Sequence, residues 1–182
     1  DKVKNLTPDD NGIVNLYAIW SENAPVSIKY VASDEEHSSV SVTSENVNPA
    51  TGNASGSTAK VSDGYHFAGW SNVSGSLLGM NETFIPTRGE SGLWEPSTYY
   101  ASCEPNEYAI EYVANGQKTT GEMGNQDFVY DKEDALVGNR YEREGYTFIG
   151  WNTKADGTGE TYDDCAIVKN LTKENGSTIK LY

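Results

Sequence analysis

The sequence repeats itself at two related spacings, and this repetition is the feature that most constrains its fold. Val3–Thr7 recurs as Val168–Thr172 at an offset of 165 residues. An offset of 82 relates Ile28–Ala32 to Ile110–Ala114. Because 165 is about twice 82, the chain consists of successive copies of one unit of roughly 80 residues.

A third repeated segment fixes where the units begin and end. Gly64–Trp70 reads Gly-Tyr-His-Phe-Ala-Gly-Trp and returns as Gly-Tyr-Thr-Phe-Ile-Gly-Trp at Gly145–Trp151. We therefore predict three parts. Residues 1–24 are the C-terminal strand region of a preceding unit plus a linker, residues 25–106 are a complete but diverged unit, and residues 107–182 are a second unit clipped at its last strand. The linkers between these units are only a few residues long, and short linkers favour a stiff chain of units.

The repeated segments alternate with the period of a β-strand. Ile28 and Tyr30 alternate with Ser27 and Lys29, and the copy one unit later keeps the same period of two. The Gly-Tyr-x-Phe-x-Gly-Trp segments also read as strands, and Asn-Gly and Asp-Gly pairs between strands indicate turns. The only helical candidate is Lys132 to Val137, with Asp131 as its N-cap. The predicted fold class is mainly β or α+β, with at most one short helix in each unit.

Composition favours a folded chain with an aromatic core. Leu, Ile, Val and Phe make up about 18 % of the 182 residues and the net charge is −14, a combination that by itself favours disorder. Twelve Tyr and four Trp favour folding, because each aromatic side chain can bury on the order of 150–250 Å². We therefore predict small domains whose cores are built largely from aromatic rings.

Charge and composition also argue against several functions. A net charge of −14 opposes binding to nucleic acid or to an anionic membrane surface. No run approaches the ~18 apolar residues of a membrane-spanning helix, so we expect no membrane insertion. Two His and two Cys leave little for a zinc site or a Cys/His nucleophile. We expect no metal, no cofactor and no catalytic residue.

Three ordered segments in the second unit carry a resemblance to a known family. They are Tyr-Val-Ala-Asn-Gly at 112–116, the run from Glu144 to Gly159, and Val-Lys-Asn-Leu-Thr at 168–172. In this order they closely resemble the Listeria–Bacteroides repeat, the unit of the internalin B-type B repeats. The resemblance covers residues 108–182 and the fragment 1–20, and residues 25–106 resemble a more distant relative.

The resemblance implies a location and a class of function. It implies compact β-grasp-like modules arranged in tandem in secreted or wall-anchored bacterial proteins, and therefore a place on the bacterial cell surface. Such modules act as stalks or contribute to adhesion, and the family carries no catalytic residues. Two alternatives to a stalk stay open. One is an adhesin domain that binds a host glycan or matrix protein, and the other is an accessory module of a large secreted carbohydrate-active enzyme.

The aromatic residues of the repeated strands are the expected structural core. Because they recur at equivalent places in both units, we assign the following to the core rather than to a sugar-binding platform: Tyr65, Phe67, Trp70, Tyr146, Phe148 and Trp151. Trp94 lies outside the shared pattern, so it is the candidate for an exposed ligand-binding aromatic.

The two cysteines both depart from the family's pattern. The β-grasp topology that the resemblance implies places the first and last strands side by side, which could bring Cys103 near Cys165. Outside the cell the two could then form a disulfide.

The N-terminal fragment lacks the rest of its own unit. Ile13 to Trp20 therefore offers an unpaired strand edge. We expect this segment either to lie against residues 25–106 or to form a strand-addition dimer through residues 13–20.

Overall fold

The computed structural model describes residue 4 and residues 6–182. Residues 1–3 and 5, which the repeat pattern assigns to a preceding unit, lie outside the described residues. All regular structure in the described part of the chain is β-strand, and it contains no helix. We refer to residues 25–106 as the N-terminal half and to residues 107–182 as the C-terminal half.

The N-terminal half contains eight strands in two sheets. They are β1 (Val26–Ala32), β2 (Ser38–Val40), β3 (Ser44–Val47), β4 (Ser57–Val61), β5 (Tyr65–Asn72), β6 (Leu77–Gly79), β7 (Thr83–Phe84) and β8 (Ser97–Pro105). One sheet has the order β3-β1-β8-β5-β6 and the other has the order β2-β4-β7. The first and last strands, β1 and β8, are parallel neighbours, with Ala32 opposite Ala101.

The C-terminal half repeats the central part of this arrangement with shorter strands. They are β9 (Glu107–Tyr112), β10 (Thr119–Thr120), β11 (Gln126–Val129), β12 (Asp134–Ala135), β13 (Glu142–Arg143), β14 (Trp151–Asn152), β15 (Thr161–Tyr162), β16 (Ile167–Val168) and β17 (Ser177–Leu181). The order β11-β9-β17 forms a three-stranded sheet, and β10-β13, β12-β16 and β14-β15 are paired separately. Strands β9 and β17 are again parallel, with Leu181 opposite Tyr112.

Each half has its own hydrophobic core centred on a tryptophan. In the N-terminal half Trp70 is fully buried, and the edge of Tyr30 packs on it with ring centroids 6.0 Å apart. In the C-terminal half Trp151 is 1 % exposed and Tyr112 packs on it at 4.8 Å. Buried aromatic rings supply most of the volume that the scarce aliphatic residues would otherwise provide. The architecture confirms the prediction of a mainly β protein built from small tandem modules.

The predicted helical turn at Lys132 to Val137 was wrong. Asp131 has a φ of +63°, whereas an N-cap residue normally has extended φ and ψ. Its carboxylate accepts from the Asn170 side chain instead of capping a helix. The chain then enters β12, which pairs with β16.

Two predicted strand regions are also missing. Ile13 to Trp20 forms no strand, and the expectation that it lies against the N-terminal half is wrong, because Ile13 and Trp20 are each 89 % exposed. In the C-terminal half, the segment Tyr146 to Gly150 is irregular and only Trp151–Asn152 is extended as β14. Its counterpart β5 forms a full strand because β8 pairs with it. Within the described residues, no strand pairs with residues 146–150.

Candidate functional site

The two halves meet at Asn106, the single residue between β8 and β9. Asn106 is only 6 % exposed. Its backbone N–H donates to the Gly64 carbonyl at 2.8 Å, and its own carbonyl accepts from the Tyr130 N–H at 2.8 Å. Its side-chain Nδ2 donates to the Lys173 carbonyl at 2.7 Å. One buried residue is therefore hydrogen-bonded to both halves at once.

Aromatic rings pack across the same boundary. The edge of Tyr65 contacts Tyr130 with ring centroids 6.0 Å apart, and the Tyr65 hydroxyl donates to Asp131 Oδ2 at 3.1 Å. Gly64 has a φ of +82°, and a Cβ atom at this position would overlap the Tyr130 ring. Only glycine therefore allows both the turn and the close approach of the ring. We call Gly64, Tyr65, Asn106, Tyr130 and Asp131 the junction.

The charges around the junction are arranged as fixed donor and acceptor pairs. Burial and the hydrogen bond to Asp131 raise the pKa of Tyr65 to about 12, so its hydroxyl remains a donor at neutral pH. The hydrogen bond from the Asn170 side chain is the largest cause that holds the pKa of Asp131 below its usual value. Burial acts in the opposite direction, and hydrogen bonds from Tyr65 and Lys169 lower the pKa further. Asp131 is therefore a carboxylate that accepts from both halves. At the rim, Lys173 Nζ lies 2.8 Å from Asp63 Oδ2.

A second feature is an open groove in the C-terminal half. It has a volume of about 760 Å³ and lies between residues 113–120 and residues 141–151, with Tyr182 at its end. We call it the C-terminal groove. Ile149 is 90 % exposed, and Tyr146 is exposed beneath the Arg143 guanidinium, which lies 3.8 Å from the ring centroid. The groove is thus lined by an irregular segment with exposed apolar side chains.

One buried donor near the groove has no partner. The Trp151 indole Nε1 makes no hydrogen bond within the described residues. Its counterpart Trp70 donates to the Glu82 carbonyl at 3.0 Å. An unpaired buried donor costs about 1–3 kcal/mol. The central tryptophan of the C-terminal core therefore lacks a hydrogen bond that its counterpart in the N-terminal core makes.

The structure distributes the six predicted core aromatics over three places. Trp70 and Trp151 lie at the centres of the two cores, and Phe67 is partly buried against the first. Tyr65 lies at the junction. The expectation for Tyr146 and Phe148 must be corrected, because they are 66 % and 37 % exposed and line the C-terminal groove. They are exposed because no strand covers their segment.

Trp94 does not form an exposed platform. It is 7 % exposed and belongs to the first core, so the expectation of a surface ligand-binding aromatic must be corrected. Its Nε1 donates to the Gly52 carbonyl at 2.9 Å, and its backbone N–H donates to the Pro49 carbonyl at 2.9 Å. These bonds fix the loop before β8 over the β3–β4 connection, and no face of the ring remains open to a ligand.

The proposed disulfide is not formed, and both cysteines are free. Cys103 lies on β8 in the N-terminal half, where its thiol faces Asp34 at 4.0 Å. Cys165 is exposed in the turn before β16 and has a φ of +58°. The first and last strands are neighbours within each half, but the two cysteines belong to different halves.

The described residues hold no group of three or more His, Cys, Asp or Glu side chains placed to bind a metal ion. Within the described residues, no helix is long and apolar enough to cross a membrane. We treat the junction and the C-terminal groove as candidate functional features because of the contacts and exposed side chains described above. The sequence signalled Gly64 and Tyr65 through their recurrence as Gly145 and Tyr146. Nothing in the sequence singled out Tyr130 or Asp131 as their partners.

Comparison with known proteins gives matches in both halves. Residues 108–175 match the family model of the Listeria-Bacteroides repeat domain, and residues 30–87 match that of the divergent InlB B-repeat domain. Such repeats occur in bacterial surface proteins and are generally non-catalytic. No solved structure matches the chain.

Two curated proteins of Evansella cellulosilytica are similar to parts of the chain. One, named "Putative membrane protein", is 37 % identical over 70 residues, which is 38 % of this chain and 10 % of the relative. The other, named "Putative Gly-rich membrane protein", is 29 % identical over 105 residues, which is 55 % of this chain and 12 % of the relative. The chain spans about a tenth of the length of the curated relatives that it matches.

Proposed function

Because the chain belongs to the Listeria–Bacteroides repeat and divergent InlB B-repeat families through residues 108–175 and 30–87, we propose that it is a non-catalytic stalk segment of an extracellular bacterial surface protein. In this proposal residues 25–106 and 107–182 are consecutive modules, and residues 1–24 end a preceding one. The task of the segment is mechanical. It holds other parts of the protein at a fixed distance and direction from the cell.

The observation that carries the proposal is the burial of Asn106 at the junction. A flexible tether exposes its linker to water, whereas Asn106 is 6 % exposed and bonded to Gly64, Tyr130 and Lys173. Turning one half against the other at Asn106 would break either the bond to Gly64 or the bonds to Tyr130 and Lys173, each worth about 0.5–1.5 kcal/mol, and would leave buried polar groups unpaired. The halves are therefore held as one stiff unit, as a spacer requires.

The charge of the chain suits the same task. A net charge of −14 keeps a long exposed protein soluble and discourages unspecific contacts. Trp94, the aromatic side chain that a binding module could have presented at its surface, is instead used inside the first core.

The test compares the tumbling of the two halves by ¹⁵N relaxation. In the unaltered protein both halves should give one rotational correlation time. Asn106→Ala removes the side-chain bond to Lys173, and the halves should then tumble with different times while each keeps its own core. Asn125→Ala, at an exposed asparagine of the C-terminal half, is the matched control and should leave the single time unchanged. Independent tumbling in the unaltered protein would contradict the stalk proposal.

A role in adhesion is the alternative to the stalk proposal, and a separate binding experiment tests it. The labelled chain is applied to a glycan array and to immobilised matrix proteins. We expect no saturable binding. Saturable binding that is lost in Tyr146→Ala would replace the spacer by an adhesive module that acts through the C-terminal groove.

A further inference from the structure

Both histidines of the chain contact the junction. His37, between β1 and β2, stacks its ring on Tyr65 with ring centroids 4.1 Å apart. His66, on β5, places its Nδ1 2.9 Å from Asn106 Oδ1. Histidine is the side chain that ordinarily changes its charge between about pH 5 and pH 8. The histidine charge of this chain therefore arises where the two halves meet.

The His37 ring is oriented by Asp34. Its Nδ1 lies 2.8 Å from Asp34 Oδ2, and because a carboxylate only accepts, Nδ1 carries the hydrogen in the neutral ring as well. The backbone N–H of His37 also donates to Asp34 Oδ1, at 3.2 Å. The hydrogen bond from the His37 side chain is the largest cause that lowers the pKa of Asp34. Nε2 is therefore the atom of the ring that takes up a proton.

Carboxylates from both halves face this Nε2 atom. Glu36 Oε1, on the same loop as His37, lies 3.9 Å away, and Asp131 Oδ2, in the C-terminal half, lies 4.0 Å away. The same Asp131 oxygen accepts from the Tyr65 hydroxyl. Of the three carboxylates beside His37, Asp34 and Glu36 stay near the ring whether or not the halves are joined. Asp131 is near it only when they are.

The other charged groups nearby modify this attraction without reversing its direction. Lys169 Nζ lies 3.4 Å from the second oxygen of Asp131, so it reduces the attraction between Asp131 and a charged His37 ring. The Cys103 thiol on β8 faces Asp34 at 4.0 Å. His66 Nε2 lies 3.9 Å from Glu104, which belongs to the same half, so a charge on His66 is attracted within that half.

We propose that His37 is a proton-sensitive contact between the two halves, which strengthens the junction as the pH falls from about 7.5 to about 5.5. A proton binds the joined form more tightly than the separated form, because only the joined form brings Asp131 to the ring. A bound proton therefore shifts the equilibrium toward the joined form. The inference rests on the proposed function, because it requires that the two halves meet at the junction.

The size and the pH range of the effect follow from one partly exposed ion pair. Such a pair corresponds to about a two- to fivefold decrease in the equilibrium constant for opening the junction. The pKa values of Asp34 and Asp131 are both lowered, so these carboxylates keep their charge while the histidine gains its own. The added stability is absent above the range in which histidine titrates, and it fades again below about pH 4 as the carboxylates take up protons.

The test measures hydrogen exchange of single amides by NMR at pH 7.5 and pH 5.5, corrected for the intrinsic exchange rate at each pH. The Asn106 and Tyr130 N–H groups report on the junction, because they donate to Gly64 and across to Asn106. The control amides are those of Tyr30 and Val113, whose acceptors lie within their own halves. We expect about two- to fivefold greater protection of the junction amides at pH 5.5, and a smaller change in the control amides.

Four variants assign the effect to its residues. His37→Phe keeps a ring on Tyr65 but takes up no proton, and Asp131→Asn removes the opposing charge, so neither should show the increase. Asp127→Asn removes an exposed carboxylate of the same half and is the matched control for charge, so the increase should remain. It should also remain in His66→Gln.

Several outcomes would overturn the proposal. Junction protection that does not change with pH, in a chain that still tumbles with one correlation time, would reject the role of His37 and leave the stalk proposal intact. An increase that survives in His37→Phe or in Asp131→Asn would place the proton elsewhere. An equal increase in the control amides would mean that the pH acts on the stability of each half and not on the junction.

Discussion

At the scale of single residues, each half has a tyrosine hydroxyl at the same place that donates to a side-chain oxygen. The acceptor is a carboxylate in the N-terminal half and a neutral amide in the C-terminal half. The Tyr30 hydroxyl donates to Glu45 at 2.6 Å, and its counterpart Tyr112 donates to Gln126 at 2.6 Å. Burial alone would raise the pKa of Glu45, but donation from the Ser55 N–H, the Tyr30 hydroxyl and the Gly56 N–H outweighs it. The pKa of Glu45 is therefore lowered. The N-terminal half has an acid-sensitive contact at a place where the C-terminal half has a neutral one.

Glu45→Gln tests this difference. A carboxyl group with a lowered folded pKa stabilises the protein above its unfolded pKa of about 4.3, and this contribution is lost as the pH falls through the folded value. At pH 7 the variant should lose about 1.5–3 kcal/mol, because the amide nitrogen cannot accept from Ser55. The loss should shrink as the pH falls below 4. Urea unfolding from pH 7 to pH 3 measures it, and a loss that is constant with pH would contradict the assignment.

At the scale of elements, a bulge in β5 directs Trp70 into the core. The pairing with β8 shifts between Phe67 and Gly69, and Gly69 has a φ of +124°. A Cβ atom at Gly69 would lie 2.6 Å from Leu77 Cδ1 and 3.0 Å from the Gly79 carbonyl oxygen. The repeated glycine of the Gly-Tyr-x-Phe-x-Gly-Trp segment is thus a requirement of the bulge.

Gly69→Ala should therefore destabilise the N-terminal half by about 2–4 kcal/mol through backbone strain and overpacking. Gly75→Ala is the matched control. Gly75 also has a positive φ, but a Cβ atom there meets nothing within 4 Å, so only about 1–2 kcal/mol of backbone strain is expected. Chemical denaturation of both variants measures the difference, and equal losses would show that the bulge tolerates a side chain.

The same elements show which parts of the fold the sequence could predict. Period-two alternation located β1 and β9, because each buries one face against a core. The pattern failed at Tyr146 to Gly150, since a repeated strand sequence forms a strand only where a neighbour pairs with it. It failed for Trp94 because burial of this ring depends on the Gly52 carbonyl, which a distant loop supplies. The pattern could not predict the junction for the same reason, since Gly64 and Tyr130 belong to different halves and are brought together only by tertiary packing.

At the scale of the whole molecule, the relative orientation of the halves depends on buried contacts more than on charge. The ion pair between Lys173 and Asp63 spans the junction, but its side chains are 53 % and 78 % exposed. Exposed pairs of this kind contribute about 0–1 kcal/mol and are screened by salt. Asn106 and the Gly64–Tyr130 contact are buried or close-packed, so salt does not reach them. The stiffness of the molecule should therefore be independent of ionic strength.

This independence can be measured by small-angle X-ray scattering of the chain at two salt concentrations. The maximum dimension should be the same at low salt and at 1 M salt, where the screening length is about 3 Å. Lys173→Ala should leave the scattering curve unchanged. Gly64→Ala should alter it at every salt concentration, because the added methyl group displaces the Tyr130 ring and the Asn106 bonds beside it. A dimension that changes with salt, together with an altered curve for Lys173→Ala, would mean that the ion pair sets the orientation of the two halves.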